Sequence, residues 1–445
     1  MEIDIVSSVK KLRTKSDLLR LINRIKEIKF VEVGLQKKFS PVTIKQLEYY
    51  SDPNNTYRRY RKFSIPKKSG ELREIHAPRN ANYKVILRTL NEILNTVYEP
   101  SEYTMGFVRG KSVVTNALSH VGKNYVYNID LKDFFPSIDY LRIAKRLQLS
   151  PFCFPRQIAI IIAGLASIRT DEGDAVLPQG SPLSPILTNI ICDKLDRKLS
   201  RLAEKFGLSY SRYADDITFS SYHNVYHQDG EFCKKLKSII EKQGFKINEN
   251  KTRLQKRGQR QLVTGIKVNT ETNVDRSYIN QIRNLLYIWK RYGYSVAEQR
   301  YYEWRLKNKP LSYKRTSLAS YLNGKIQYLR AVKASGYSTA YIHFLFEYEY
   351  LYKETFKKKK RYGINYIETT PLEQFEKKLG VQIDINKKVD ADGQSHRFSV
   401  FEYKFIPTFI SVSKDITPED ETNKSKLSIS RCIDQRKKEF WLIHY

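Results

Sequence analysis

The 445 residues suffice for two or three domains, and Lys plus Arg outnumber Asp plus Glu by 79 to 47, a formal charge of +32. Such an excess attracts polyanions and points to a nucleic-acid partner, while the lack of a long apolar run or amphipathic anchor excludes a membrane partner. Cys153, Cys192, Cys233 and Cys432 show no Cys-x-x-Cys spacing, which argues against a zinc site or a disulfide framework, and no apolar leader with a cleavage site opens the chain, so a cytoplasmic protein is expected.

Residues 1–30 carry Leu12, Leu18, Leu19, Ile22, Ile25 and Ile28 at helical spacing and predict one amphipathic packing helix. Two strands, 60–66 and 71–78, follow, with Lys67-Lys-Ser-Gly70 as the turn of a basic hairpin. A helix over 82–100 is stopped by Pro100. The Gly-containing loop 106–112 lacks P-loop spacing, and Ser112 is placed to cap a helix bearing Asn116 and His120. Those two residues are four apart, so they could also bond each other across one helix face. Tyr-Val-Tyr-Asn-Ile at 125–129 reads as a strand running into Asp130. An apolar helix over 155–168 is too short to span a bilayer.

A loop, Leu-Pro-Gln-Gly-Ser-Pro-Leu at 177–183, precedes a helix from Ser184 with Pro185 in its first turn, expected to pack beneath the next strands. Residues 208–214 then run into Asp215 and Asp216, and Ile-Thr-Phe-Ser continues the alternation as the second arm of a hairpin. A helix is expected over 231–243, then the segment 244–252 with Lys246 and Lys251, then Val263-Thr-Gly265. Residues 276–335 are helix-rich, basic and aromatic, with Gly324 in the last helix expected to allow close backbone approach. Tyr57-Arg-Arg-Tyr-Arg61, Tyr287-Ile-Trp-Lys-Arg-Tyr292 and Tyr301-Tyr-Glu-Trp-Arg305 interleave rings with cations, a pattern suited to stacking on bases while holding phosphate. In the tail, Lys357–Arg361 ends a helix, 372–379 reads as a helix, 398–405 as a strand and 418–426 as a polar loop, while His343, His396 and His444 are isolated.

The chemistry concentrates in the carboxylates. Strands that end in Asp130 and Asp215 would bring two charges together at a sheet rim with no lysine nearby. Close like charges call for a cation. Hard oxygen donors suit Mg²⁺, which keeps room for waters and substrate phosphates. That is the layout of two-metal phosphoryl transfer.

An Asp strand, a Pro-Gln-Gly loop and a Tyr-x-Asp-Asp hairpin in this order resemble the palm of the reverse transcriptases, over roughly residues 30–335. Asn-Ala-x-x-His at 116–120 and Val-Thr-Gly at 263–265 resemble the signatures of the retron branch. The resemblance implies an α+β right-hand polymerase with fingers, a palm of antiparallel sheet and helices, a helical thumb and a C-terminal α+β extension. The corresponding divisions are 1–124, 125–268 with inserted finger helices at about 140–175, 269–340 and 341–445. It makes Asp130, Asp215 and Asp216 the ligands of two Mg²⁺ ions, with Mn²⁺ as a substitute. It makes Phe135 the residue that rejects a ribose 2′-OH, and Gln179, Gly180 and Tyr213 contacts of the incoming nucleotide. Arg73 and Lys68 would hold its phosphates, and Lys251, with Lys246 second, would protonate the leaving pyrophosphate. Asn116, His120, Val263, Thr264 and Gly265 would serve RNA recognition.

The implied partners are a structured noncoding RNA acting as template and primer, dNTPs, the RNA–DNA hybrid product and an effector protein. The implied activity is synthesis of a branched RNA–DNA molecule (msDNA) from a 2′-OH in the bacterial cytoplasm, within antiphage defence. The alternatives are a group II intron-type or other bacterial defence reverse transcriptase, an RNA-templated RNA polymerase, and a non-catalytic RNA-binding scaffold.

Overall fold

The computed structural model describes residues 4–32, 39–67, 70–308, 316–333, 339–356, 428–433 and 439–444. They fall into two compact units, Met1–Thr272 and Asn273–Tyr445.

The first unit opens with two helices, Ile5–Lys10 and Lys15–Glu32, where the sequence suggested one. The break is local: the Asp17 carboxylate accepts from the Arg13 and Thr14 amides at 3.0 and 2.8 Å, capping a fresh start. Leu12, Leu18, Ile22 and Ile25 are buried as expected. Strands β1 (Tyr60–Pro66) and β2 (Leu72–Pro78) pair along their whole length as the hairpin expected to form part of the fingers. Helix Ala81–Val97 starts on Asn80 and buries Tyr83, Ile86, Leu87, Leu90, Ile93 and Leu94, the stripe that helical periodicity dictates.

The central sheet is antiparallel. Strand β3 (Tyr125–Lys132) lies at its heart. A short ladder of β4 (Ile168–Arg169) and β5 (Ala175–Val176) follows the finger helices Tyr140–Leu147 and Arg156–Ala166. The hairpin of β6 (Ser209–Tyr213) and β7 (Asp216–Ser221) pairs with one edge of β3. Strands β8 (Lys246–Ile247) and β9 (Arg253–Lys256) take successive stretches of its other edge.

The sheet has two unlike faces, because residues alternate along each strand and those opposed in register share a face. Ile129, Ile217, Phe219 and Tyr210 join the hydrophobic core with the long helix Ser184–Lys205, which packs beneath the strands as expected. The other face carries Asn128, Thr218, Ser211 and Ser220, all buried yet polar. Helix Val113–Leu118, capped by Ser112, and the tight hairpin of β10 (Leu262–Val263) and β11 (Ile266–Lys267) pack on this side.

The second unit contains helices Arg276–Tyr292, Tyr294–Asn308, Leu318–Val332 and Thr339–Phe356. Leu286, Trp289, Leu322, Ile326, Leu329 and Phe344 are buried, and Trp289 Nε1 donates to Thr355 Oγ1 at 3.0 Å. The boundary expected at 340/341 therefore falls inside a helix that packs on the first and third. Gly324 has no neighbour within 4 Å of a would-be Cβ, so it serves no close backbone approach. Several aromatics expected to face nucleic acid are interior: Tyr60, Trp289 and Tyr301 are buried, as is Arg59, while Tyr57, Tyr287 and Tyr292 are exposed. A hairpin of Ser428–Ile433 and Glu439–His444 is also described. Lys68, residues 357–361, the helix 372–379, His396, the strand 398–405 and the loop 418–426 lie outside the described residues. Among those described, no helix is long and apolar enough to cross a membrane.

Candidate active site

Asp130 and Asp216 are direct partners in the antiparallel register of β3 and β7. Asp215 precedes Asp216 in the two-residue turn, where Ala214 takes φ 58. Its carbonyl accepts from the Leu131 amide at 3.0 Å, tying the turn to the Asp130 strand. The register thus opposes Asp130 to Asp216 rather than to Asp215, and Asp130 lies within its strand instead of ending it. The three carboxylates still share one rim.

Their electrostatics follow from that crowding. Burial, then the neighbouring Asp215 charge, pushes Asp216 up to about 7. Asp215 is also raised, by burial first and then by Asp130, with Lys251 and Arg73 opposing. The expectation of no nearby lysine is corrected here. Lys251 Nζ donates to both Asp130 oxygens at 3.1–3.2 Å, and Asn248 Nδ2 adds a bond at 3.0 Å. These partners come from the 248–252 turn, which the Asn248 amide pins to the Asp130 carbonyl at 2.8 Å. Lys251 therefore sits in the site as a counter-ion of Asp130. Lys246 instead stands on β8 opposite Lys132, exposed.

Among the described residues, no three His, Cys, Asp or Glu side chains are gathered closely enough to hold a metal alone. The donor set nonetheless suits a hard divalent cation: two carboxylates raised by burial and mutual charge, acting as partial ligands whose complement comes from water and substrate phosphates.

Around this rim stand the other expected residues. Arg73 lies exposed on β2 and its charge reaches Asp215. The Gln179 carbonyl accepts from the His76 amide at 2.7 Å, joining the Pro-Gln-Gly loop to the finger hairpin. Gly180, at φ +105, is close-packed, but against the fingers: a Cβ would meet Ile75 Cγ2 at 2.8 Å and the His76 carbonyl oxygen at 2.9 Å. The space that a side chain at Gly180 would need is thus filled by β2. Phe135 is half-buried with its ring edge-on to Phe134. Tyr213 is half-buried, pairs with Asp216 in register and lies beside Phe107.

The signature residues at 116–120 and 263–265 turn inward. Asn116, His120 and Val263 have 0% exposure, which leaves no surface for RNA. Asn116 and His120 do not bond each other but meet on Ser211. Thr264 and Gly265 form the β10–β11 turn, both at positive φ (47 and 84). Gly265 is exposed.

Several supports of the turn at Ala214 and Asp215 escape sequence reasoning. Buried Arg212 donates to both oxygens of buried Asp196 and to the Ala214 carbonyl at 3.1 Å. Tyr210 and Thr104 complete the Asp196 shell at 2.7 and 2.8 Å. Gly106 lies so close to the turn that a Cβ would approach the Ala214 nitrogen to 2.6 Å. One signal was available for Asp196, a lone acid on the apolar stripe of an amphipathic helix.

The reverse transcriptase (RNA-dependent DNA polymerase) family matches residues 65–276. The chain is 34% identical over 268 residues to the Retron Mx65 reverse transcriptase of Myxococcus xanthus, covering 55% of this chain and 60% of that one. It is 33% identical over 267 residues to the Retron Mx162 reverse transcriptase of the same organism, covering 53% and 54%. These matches span little more than half the length of either relative. To the Retron Ec86 reverse transcriptase of Escherichia coli it is 32% identical over 252 residues, covering 55% of this chain and 73% of that protein. Palm motifs, sheet topology and relatives agree: the chain belongs to the retron-type reverse transcriptases.

Proposed function

We propose that this chain is an RNA-directed DNA polymerase that binds its own structured noncoding RNA and copies part of it into DNA, starting from a 2′-OH and yielding msDNA within an antiphage defence system. One observation carries the reading: Asp130 and Asp216 face each other across adjacent strands, with Asp215 in the connecting turn. Fingers (1–124) and palm (125–268) are part of the same reading, as is a thumb that opens with the first helix of the second unit and runs through helix Thr339–Phe356.

Asp130, Asp215 and Asp216 would hold two Mg²⁺ ions, or Mn²⁺ in their place, which lower the pKa of the attacking hydroxyl and offset charge on the phosphates. The protein's own share is positioning and electrostatics. Arg73, with Lys68 five residues before it, neutralises triphosphate charge over the rim. Gln179, Gly180 and Tyr213 shape the nucleotide's seat, and Phe135 excludes a 2′-OH so that dNTPs are chosen. Lys251 can protonate a leaving pyrophosphate only after releasing Asp130, so its ion pair is exchanged during turnover. A protein effector and the RNA–DNA hybrid complete the set of partners.

The test is to purify the chain from its host and sequence the nucleic acid bound to it. A covalently joined RNA–DNA species is expected. RNA alone, from a preparation that also fails to extend an annealed primer with dNTPs, would overturn the reading.

A further inference from the structure

The polar face of the palm sheet holds a hydrogen-bond chain whose direction can be read atom by atom. Ser211 on β6 has one hydroxyl proton and gives it to Asn116 Oδ1 at 2.6 Å. The 2.7 Å contact between Ser211 Oγ and His120 Nε2 then requires the ring nitrogen to donate. Neutral His120 thereby has its other nitrogen, Nδ1, as an acceptor, and Ser220 on β7 supplies the proton at 2.7 Å. At the far end Asn116 Nδ2 donates to Thr264 Oγ1 at 3.4 Å, and Thr264 donates to the Val113 carbonyl at 3.2 Å. The sequence Ser220 → His120 → Ser211 → Asn116 → Thr264 → Val113 has a single polarity, and aligned chains of this kind reinforce each link.

Two further observations give the chain a purpose. His120 bridges the two strands that flank the turn of Asp215 and lead into Asp216, since Ser211 and Ser220 belong to the two arms of that hairpin. Thr264 holds φ 47, a backbone state that disfavours a β-branched residue and that Asn or Gly would occupy more easily. A strained Thr kept at a turn by two hydrogen bonds indicates that its hydroxyl is what the position requires.

We propose that Asn116, His120 and Thr264 are positioning residues for polymerisation: the relay clips β6 to β7 and anchors the catalytic hairpin to helix Val113–Leu118 and to the β10–β11 turn, instead of touching RNA. This rests on the polymerase reading for its kinetic consequence, but not for its structural one.

The test pairs kinetics with hydrogen exchange, using poly(rA)·oligo(dT) as the probe duplex. His120→Leu and Thr264→Val remove links with little change of size. Each is expected to lower kcat for dTTP about tenfold or more, with KM and duplex Kd within about twofold. His120→Gln carries one donor and one acceptor in the same order and should restore most of kcat. Amides of residues 211–220 should exchange faster in His120→Leu and Thr264→Val than in the wild type and in His120→Gln. Loss of duplex affinity at unchanged kcat would overturn the proposal in favour of a nucleic-acid contact. Unchanged exchange in both relay-breaking variants would overturn it too. If His120→Leu fails to fold, Thr264→Val and His120→Gln decide the matter. A wild type inactive on any duplex would sink the polymerase reading, while the exchange data would still decide the relay.

Discussion

Arg212 and Asp196 form an ion pair in which neither side chain has any exposed surface, and the Arg212 guanidinium also holds the Ala214 carbonyl in the turn before Asp215. The turn is thus fastened by a buried charge pair whose other contacts, Tyr210 and Thr104, satisfy the carboxylate. Removing one partner strands the other charge in the core. Asp196→Ala is expected to destabilise the first unit by about 3–5 kcal/mol. Replacing both by apolar residues of like size should recover much of that loss in a urea titration, while activity stays low because the Ala214 carbonyl has lost its donor. Equal stability of Asp196→Ala and wild type would refute this account of the turn.

Gly106 touches the same turn from the other side. Its carbonyl accepts from Asn189 Nδ2 at 2.9 Å, which fixes the loop against the Ala214 nitrogen. Gly106→Ala must displace that backbone. Since small misplacements of catalytic groups are costly, kcat for primer extension should fall about 10- to 100-fold. Duplex affinity should hold. Wild-type kcat in this variant would show that the contact is slack.

Gly324 is the opposite case. It is an exposed helix residue with open space around it. Gly324→Ala should raise stability by about 1 kcal/mol from helix propensity alone. A lower melting temperature would reveal a packing role that the structure does not display.

Acid should weaken the palm through His120. Its pKa is pushed down to about 3, by burial first and by the Lys123 charge second. Below about pH 6.5 the unfolded chain takes up a proton that the folded chain refuses, so this share of stability is lost as pH falls. Urea unfolding at pH 7.5 and 4.5 checks the sign: His120→Gln should show a shallower pH slope than wild type. Parallel slopes would contradict it.

What the sequence disclosed follows from what periodicity and turn chemistry encode. The hairpin of 60–78, the helix from Ser184 and the hairpin that turns at Asp215 are local patterns, and all were legible. Which arm of that hairpin lies beside the Asp130 strand is set by long-range packing, and it is the Asp216 arm, not the one running into Asp215, that pairs with it. The meeting of Lys251 with Asp130 depends on a turn brought in by long-range pairing, which spacing alone does not reveal. The inward orientation of Asn116 and His120 was hidden for a different reason. Polar residues suggest surface, and only Ser211 and Ser220 on the polar face of the sheet, with Thr264 beside them, make their burial satisfied. Gly180 and Gly324 show the limit of reading glycine as close approach: one is packed against the fingers, the other against nothing.

Single-nucleotide extension of an RNA-templated primer, with magnesium and saturating dNTP, tests the central claim most directly when run on wild type and on Asp130→Asn, Asp215→Asn and Asp216→Asn. Extension by wild type and a loss of at least about a thousandfold in each variant are expected, with duplex affinity retained. Extension by any of the three variants at near wild-type rate would contradict a catalytic centre built on these carboxylates.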